Sequence, residues 1–229
     1  MRLLWQQISS FEITSIYLQS EFDGVVFDCE HGNFDKERLF GLIQLVNNAN
    51  KLSFVRFSEL DKTTIRQVLD AGISGVIFAN VDSVEYSDEI INWCMYPPNG
   101  KRGQGLVKEN GWGKSPSFLQ NRNPIIVAQI ESLKGVDCLP QISSKFDYYM
   151  IGPYDLTSDI GEVANWENIS YISCLNTFKS IIPSDKRAVH IVSDIESEYK
   201  SKFENYGMVC LGMDTTFLVE SVNNIEWLK

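Results

Sequence analysis

Val25-Val26-Phe27-Asp28-Cys29-Glu30-His31-Gly32 is the stretch from which the rest of this chain is read. β-Branched and aromatic residues stop at an acid, polar and flexible positions follow, and helix-like sequence resumes at Asp35. Three other apolar runs stop in the same way. Leu52-Ser53-Phe54-Val55 ends at Arg56, Ile125 to Ile130 ends at Glu131, and Tyr148 to Ile151 ends at Gly152-Pro153-Tyr154-Asp155. A parallel β/α protein gathers the carboxyl ends of its strands on one face, where ligands bind. The four ends are therefore read as one site.

Working outward, strands are expected at Leu3 to Ile8, Gly24 to Asp28, Leu52 to Phe57, Gly75 to Phe78, Ile125 to Ile130, Tyr148 to Ile151, Ala188 to Val192 and Met208 to Leu211. Helices are expected at Ser10 to Gln19, Asp35 to Asn48, Asp61 to Asp70, Val84 to Cys94, Lys134 to Ser143, Trp166 to Ile182, Ile195 to Phe203 and Thr215 to Val222. That order predicts an α/β protein, a (β/α)8 TIM barrel formed as a single domain over residues 1–229. A doubly wound open sheet is the competing architecture. It is disfavoured because the chemistry-bearing strand ends are spread along the whole chain, whereas an open sheet concentrates them at one switch point. Tyr96 to Ser115 is long, irregular and Gly-rich, which marks a functional loop.

Charged residues make up 22% of the chain and hydrophobic residues 44%, which suits a globular core. A net charge of -10 without a basic tract argues against nucleic-acid and anionic-membrane partners. No apolar run reaches the roughly 20 residues of a membrane span. The N-terminal apolar stretch is too short for a signal peptide, so a cytoplasmic protein is expected. Five cysteines without C-x-x-C spacing fit neither a disulfide framework nor a zinc knuckle.

Glu131 and Asp155 end consecutive strands, so their carboxylates can converge; two hard oxygen ligands without His or Cys suit Mg²⁺ or Mn²⁺. Helix capping is the plainer role of either acid alone. His31, in the loop after the second strand, is placed to move protons. Arg56 can stabilise an enolate or carboxylate, or can simply pair with Asp28. Asp70 can orient His31 only if its helix packs back under the site. The strand-to-helix turn formed by Gly152, Pro153 and Tyr154 offers backbone N–H groups for a carboxylate, and Lys101-Arg102-Gly103 could cradle an anionic tail. His190, in the seventh strand, faces either the barrel mouth or a partner in the core.

Five segments together resemble the metal-dependent class II pyruvate aldolases of the HpcH/HpaI family, relatives of the citrate lyase β-chain. They are Phe27-Asp28-Cys29-Glu30-His31-Gly32; Val55-Arg56 with Leu69-Asp70-Ala71-Gly72; Tyr96 to Gly103; Gln129-Ile130-Glu131 with Ile151 to Leu156; and Gly212-Met213-Asp214-Thr215-Thr216. The resemblance implies a barrel of the phosphoenolpyruvate/pyruvate type. It implies Glu131 and Asp155 as ligands of a divalent metal, Mg²⁺ or Mn²⁺ with Co²⁺ or Zn²⁺ as further candidates. Arg56 would bind the keto oxygen, His31 and Asp70 would handle the proton with Asp28 beside them, and the amides of residues 152–155 would hold the carboxylate.

The implied reaction is reversible cleavage of a 4-hydroxy-2-oxo acid to pyruvate and an aldehyde, in a homo-oligomer, a trimer or hexamer. Decarboxylation on the same site and a non-catalytic metabolite-binding homologue are the alternatives. The chain departs from the family pattern at Tyr154, where a small residue is usual, at Ala79-Asn80 in place of a Pro-hydrophobe pair, and at His190 in place of an apolar side chain. Tyr154 and His190 point to a polar or sugar-derived aldehyde.

Overall fold

In the computed structural model, which describes residues 1–114 and 123–225, eight parallel strands pair in chain order and close into a barrel. The strands are β1 (Arg2–Gln6), β2 (Gly24–Asp28), β3 (Leu52–Phe57), β4 (Gly75–Phe78), β5 (Ile125–Ile130), β6 (Tyr148–Ile151), β7 (Arg187–Ile191) and β8 (Met208–Met213). β1 pairs with β8, which removes both sheet edges. The helices are α1 (Phe11–Leu18), α2 (Lys36–Asn48), α3 (Lys62–Asp70), α4 (Val84–Cys94), α5 (Leu133–Ile142), α6 (Pro153–Ile160), α7 (Ile169–Ile181), α8 (Ile195–Glu198) and α9 (Asp214–Asn223). The barrel expected from the alternation is the fold observed.

Side-chain alternation along the strands builds two cores. Val25, Phe27, Val55 and Val76 point outward onto α2 and α3, where Leu42, Ile43, Ile65 and Val68 complete a dry layer between barrel and helices. Leu3, Trp5, Val26, Phe54, Ile77, Val127, Met150 and Cys210 point inward and fill the barrel. Each inward position then recurs two residues on, toward the strand end. Val26 leads to Asp28, Phe54 to Arg56, Val127 to Gln129 and Ala188 to His190, so the polar residues form the top of the barrel filling.

Local capping explains the helix starts. Ser10, Asp35, Asp61, Ser83, Ser132 and Asn168 each accept backbone N–H groups of the first turn they precede. Four regions differ most from expectation. β1 ends at Gln6 because the next two amides, of Gln7 and Ile8, donate to the Asp214 carboxylate at 2.9 and 2.8 Å instead of to a strand. Residues 153–160 are helix, started by Pro153 at the first helical position and stopped by Gly161 in the left-handed region at φ 93°. The helix expected from Trp166 begins only at Ile169, after the Asn168 cap, so Trp166 lies in the preceding loop. The helix expected from Ile195 narrows to α8 and then widens into a π-type turn over Tyr199–Phe203.

Candidate active site

Asp28 ends β2 fully buried, and every lone pair of its carboxylate is engaged. Arg56 donates through Nε to Oδ1 at 2.8 Å and through Nη2 to Oδ2 at 2.7 Å. Gln7 Nε2 and Trp5 Nε1 donate to Oδ2 at 3.0 and 3.2 Å, and the Glu30 and His31 amides to Oδ1 at 3.2 and 3.3 Å. Burial alone would raise this carboxyl; the Arg56 fork and the remaining donors hold it down at about 2. Arg56 also pairs with Glu30 at 2.9 Å, and its guanidinium carbon lies 4.9 Å from the centre of the Trp5 ring. The guanidinium is thus fixed at the strand-end face by β1, β2 and their loops.

Across the barrel mouth, buried Glu131 and exposed Asp155 lie within hydrogen-bonding reach of each other. Two backbone features seat Glu131. Asn80, held at φ 48°, aims its N–H at Oε1 at 2.8 Å, and a side chain at Gly152 would place its Cβ 2.6 Å from Oε2. Gln129 Nε2 donates to Oε2 at 3.1 Å, while Gln129 Oε1 is buried without a hydrogen-bond partner. Burial, and then the neighbouring Asp155 carboxylate, push the Glu131 carboxyl up. Asp28, Glu30 and Glu131 all bear electrostatically on Arg56, so carboxylates outweigh the guanidinium at this mouth.

That donor set fits a divalent cation. Two adjacent carboxylates that repel one another are stabilised by a shared cation, and the unpartnered Gln129 oxygen beside them invites a further polar guest. No group of three or more His, Cys, Asp or Glu side chains converges among the described residues. A cation held by these two acids would take its remaining ligands from water and substrate, as is usual for Mg²⁺ or Mn²⁺.

The other expected residues fall into place unevenly. His31 is exposed in the loop after β2. Gly152 caps α6 with its own N–H donated to the Ile130 carbonyl at 3.0 Å, Pro153 opens the helix and has no N–H, and Tyr154 and Asp155 in the first turn leave the amides at the helix N-terminus. His190 points into the barrel. It stacks on Trp5 with ring centres 4.2 Å apart and planes 16° from parallel, and its Nε2 donates to the Gly212 carbonyl at 3.0 Å. Since a carbonyl only accepts, the proton sits on Nε2. Burial first, and Arg56 nearby, push this imidazole down to about 4.

Two expectations are corrected. Asp70 does not orient His31 within the chain. It ends α3, and a barrel helix runs opposite to its strand, so its C-terminus lies at the far end from the strand-end face. There its carboxylate accepts from Arg102 Nη2 at 2.8 Å. Arg102 in turn is no anion cradle: its side chain is fully buried, paired also with Glu109 and lying 4.4 Å from the centre of the Tyr96 ring. Trp5, Gln7 and Gln129 are not singled out as site residues by the sequence, and Asn80 enters there only as a departure from the family pattern. Inward alternation from Leu3 and Val127 was the available signal for Trp5 and Gln129.

Comparison with known proteins bears on this geometry. The model of the HpcH/HpaI aldolase/citrate lyase family matches residues 2–221. The 4-hydroxy-2-oxo-heptane-1,7-dioate aldolase of Escherichia coli is 28% identical over 225 residues, covering 95% of this chain and 86% of the relative. The hydroxypyruvate/pyruvate aldolase of Roseovarius nubinhibens is 23% identical over 225 residues, covering 95% and 87%. The crystal structure of an HpcH/HpaI aldolase from Desulfitobacterium hafniense superposes with a TM-score of 0.88 at 22% identity, covering 100% of this chain and 92% of that one. At that identity the structural likeness is one of fold.

Proposed function

Because this chain belongs to the HpcH/HpaI aldolase/citrate lyase family, we propose that it is a divalent-metal-dependent aldolase that reversibly cleaves a 4-hydroxy-2-oxo acid to pyruvate and an aldehyde. The observation that carries the reading is the pairing of opposites at one barrel mouth: a fixed guanidinium, Arg56, facing two carboxylates, Glu131 and Asp155.

Glu131 and Asp155 hold the cation, Mg²⁺ or Mn²⁺ by the hardness of their oxygens. A cation bound by these two acids would supply Lewis acidity toward the 2-oxo acid. The N–H groups of Tyr154 and Asp155, at the positive end of α6, receive the carboxylate. Arg56 donates to the oxygen on C2. In the cleavage direction the 4-hydroxyl proton leaves to His31, the C3–C4 bond breaks, and its electron pair forms the C2–C3 double bond as negative charge collects on the C2 oxygen. Arg56 stabilises that charge without reorganising, because Asp28 already holds it in place. Protonation of C3 then releases pyruvate. His190 is neutral near pH 7 because burial disfavours its charged form, and its Nε2 proton is held on the Gly212 carbonyl.

The protein works as one barrel domain. All five cysteines are free and no helix of the described residues is long and apolar enough to cross a membrane, which supports a cytoplasmic setting. Leu218, Val219 and Val222 expose an apolar face on α9, which supports assembly of several copies, a trimer or hexamer. Deuterium exchange into the methyl group of pyruvate, with added Mg²⁺ or Mn²⁺ and with EDTA, tests the proposal without knowledge of the aldehyde. Metal-dependent exchange is the expected result; its absence in metal-loaded enzyme contradicts an aldolase.

A further inference from the structure

Tyr154 and Trp166 form an aromatic corner at the rim of the barrel mouth. Tyr154 stands one residue before Asp155 and is 54% exposed; Trp166, in the loop between α6 and α7, is 44% exposed. Their rings meet edge to face, with centres 5.2 Å apart and planes 84° apart. Trp166 is backed by buried Tyr171 at 5.7 Å. The loop carrying Trp166 is pinned to α6 by Ala164, which at φ 57° donates its N–H to Thr157 Oγ1 at 3.0 Å, and is braced within itself by Asn165 Nδ2, which donates to Glu162 Oε2 at 2.7 Å. Nothing in the packing of the barrel requires two large rings to be held half in water.

Charge narrows what these rings meet. From Pro153 to Phe178 the chain carries Asp155, Asp159, Glu162 and Glu167 and not one Lys, Arg or His. Beyond the seat of pyruvate, a guest carrying a carboxylate of its own would find no counter-ion in this segment and would be repelled by its acids. A simple apolar guest would satisfy the rings and leave the acidic and amide groups beside them unused. Aromatic faces flanked by hydrogen-bond acceptors suit a molecule with C–H faces and neutral hydroxyl edges.

Resting on the aldolase reading, we propose that the Tyr154–Trp166 corner is the binding subsite for the aldehyde partner, and that this partner is a neutral polyhydroxylated aldehyde of the sugar type. Pyruvate is held at the α6 N-terminus. The hydroxylated carbon chain of the aldehyde lies against the two rings, with its hydroxyls donating to the acceptors of the rim.

The test separates this subsite from the chemistry. Saturation-transfer difference NMR is run with erythritol, an unreactive neutral polyol, and with succinate as an anionic probe, on the full-length wild type, Trp166→Ala and Trp166→Phe. Methyl deuterium exchange of pyruvate is followed in the wild type alone. Expected are polyol C–H signals in the wild type, at least a fivefold loss in Trp166→Ala, recovery in the ring-keeping Trp166→Phe, and weaker transfer to succinate. In aldol synthesis from pyruvate, D-erythrose should then be preferred to succinic semialdehyde and to propanal. Absence of polyol signals in a wild type that exchanges pyruvate overturns the subsite and leaves the aldolase intact. Absence of exchange overturns the aldolase, while the polyol signals still decide the subsite. A change of oligomeric state in Trp166→Ala with polyol binding unchanged identifies the corner as a surface between copies and overturns the proposal.

Discussion

Arg56 meets Asp28 along a full edge, two parallel N–H···O bonds of 2.8 and 2.7 Å, with the carboxylate sealed from water. The pair spans neighbouring strands β2 and β3 at directly opposed positions, so strand register alone brings it together. A buried pair of this kind is costly to break from one side, because the surviving charge has no solvent. Its use is geometric: the guanidinium is held before the substrate arrives.

Arg56→Lys keeps the charge and loses the fork. We expect pyruvate exchange to fall about 100-fold or more, the usual cost of losing one oxyanion donor, with circular dichroism confirming a folded barrel. Arg56→Ala should in addition lower stability by roughly 3–5 kcal/mol, since Asp28 is stranded; urea unfolding at neutral pH measures it.

Acid stability should decline in two stages. His190, held near 4, contributes stability that is complete above its unfolded value of about 6.5 and is lost as pH falls toward 4. Asp28, held near 2, contributes stability complete above about 4 and lost as pH falls toward 2. The second stage amounts to about 2 kcal/mol and should vanish in Asp28→Asn. Urea midpoints measured from pH 7 to pH 2.5 would show it; an unchanged slope below pH 4 in Asp28→Asn would show that the carboxylate is not held as described.

Glu131→Gln should separate the cation from the fold. In EDTA the variant should melt at or above the wild-type temperature, because amide replaces a carboxyl that burial and Asp155 already discourage from ionising. Added Mn²⁺ at about 100 times its dissociation constant should stabilise the wild type by about 2.7 kcal/mol and the variant far less. Equal shifts in both would move the cation away from Glu131.

His190→Phe should preserve the stacking on Trp5 and remove the Gly212 bond. Any pH dependence of exchange between pH 5 and 8 should survive this change, since the native imidazole is neutral throughout that range. A pH profile that flattens in the variant would mean that His190 exchanges protons during turnover.

Much of this was legible in the chain because strands announce themselves by composition and stop at unlike residues. The run Gly24 to Asp28 and the run Ile125 to Ile130 are strands with those very limits. The helix at Pro153–Ile160 was hidden because Gly152-Pro153 reads as a turn when the C-terminal signal at Gly161 is not weighed with it. Asp70 shows the deeper limit. Its proximity to Arg56 in sequence says nothing of the helix that carries it to the other end of the barrel, where Arg102 claims it. Trp5 lay unremarked because an aromatic on a first strand looks like core; only the closed barrel places it beside His190 and within reach of both Asp28 and Arg56.

The most direct measurement is deuterium incorporation at the methyl group of pyruvate, followed by NMR with Mg²⁺ or Mn²⁺, with EDTA, and in Arg56→Ala. Exchange that requires the cation and disappears with the guanidinium is the predicted result. Exchange that persists in Arg56→Ala, or none in wild-type enzyme with cation bound, would contradict the assignment of this barrel mouth to enolate chemistry.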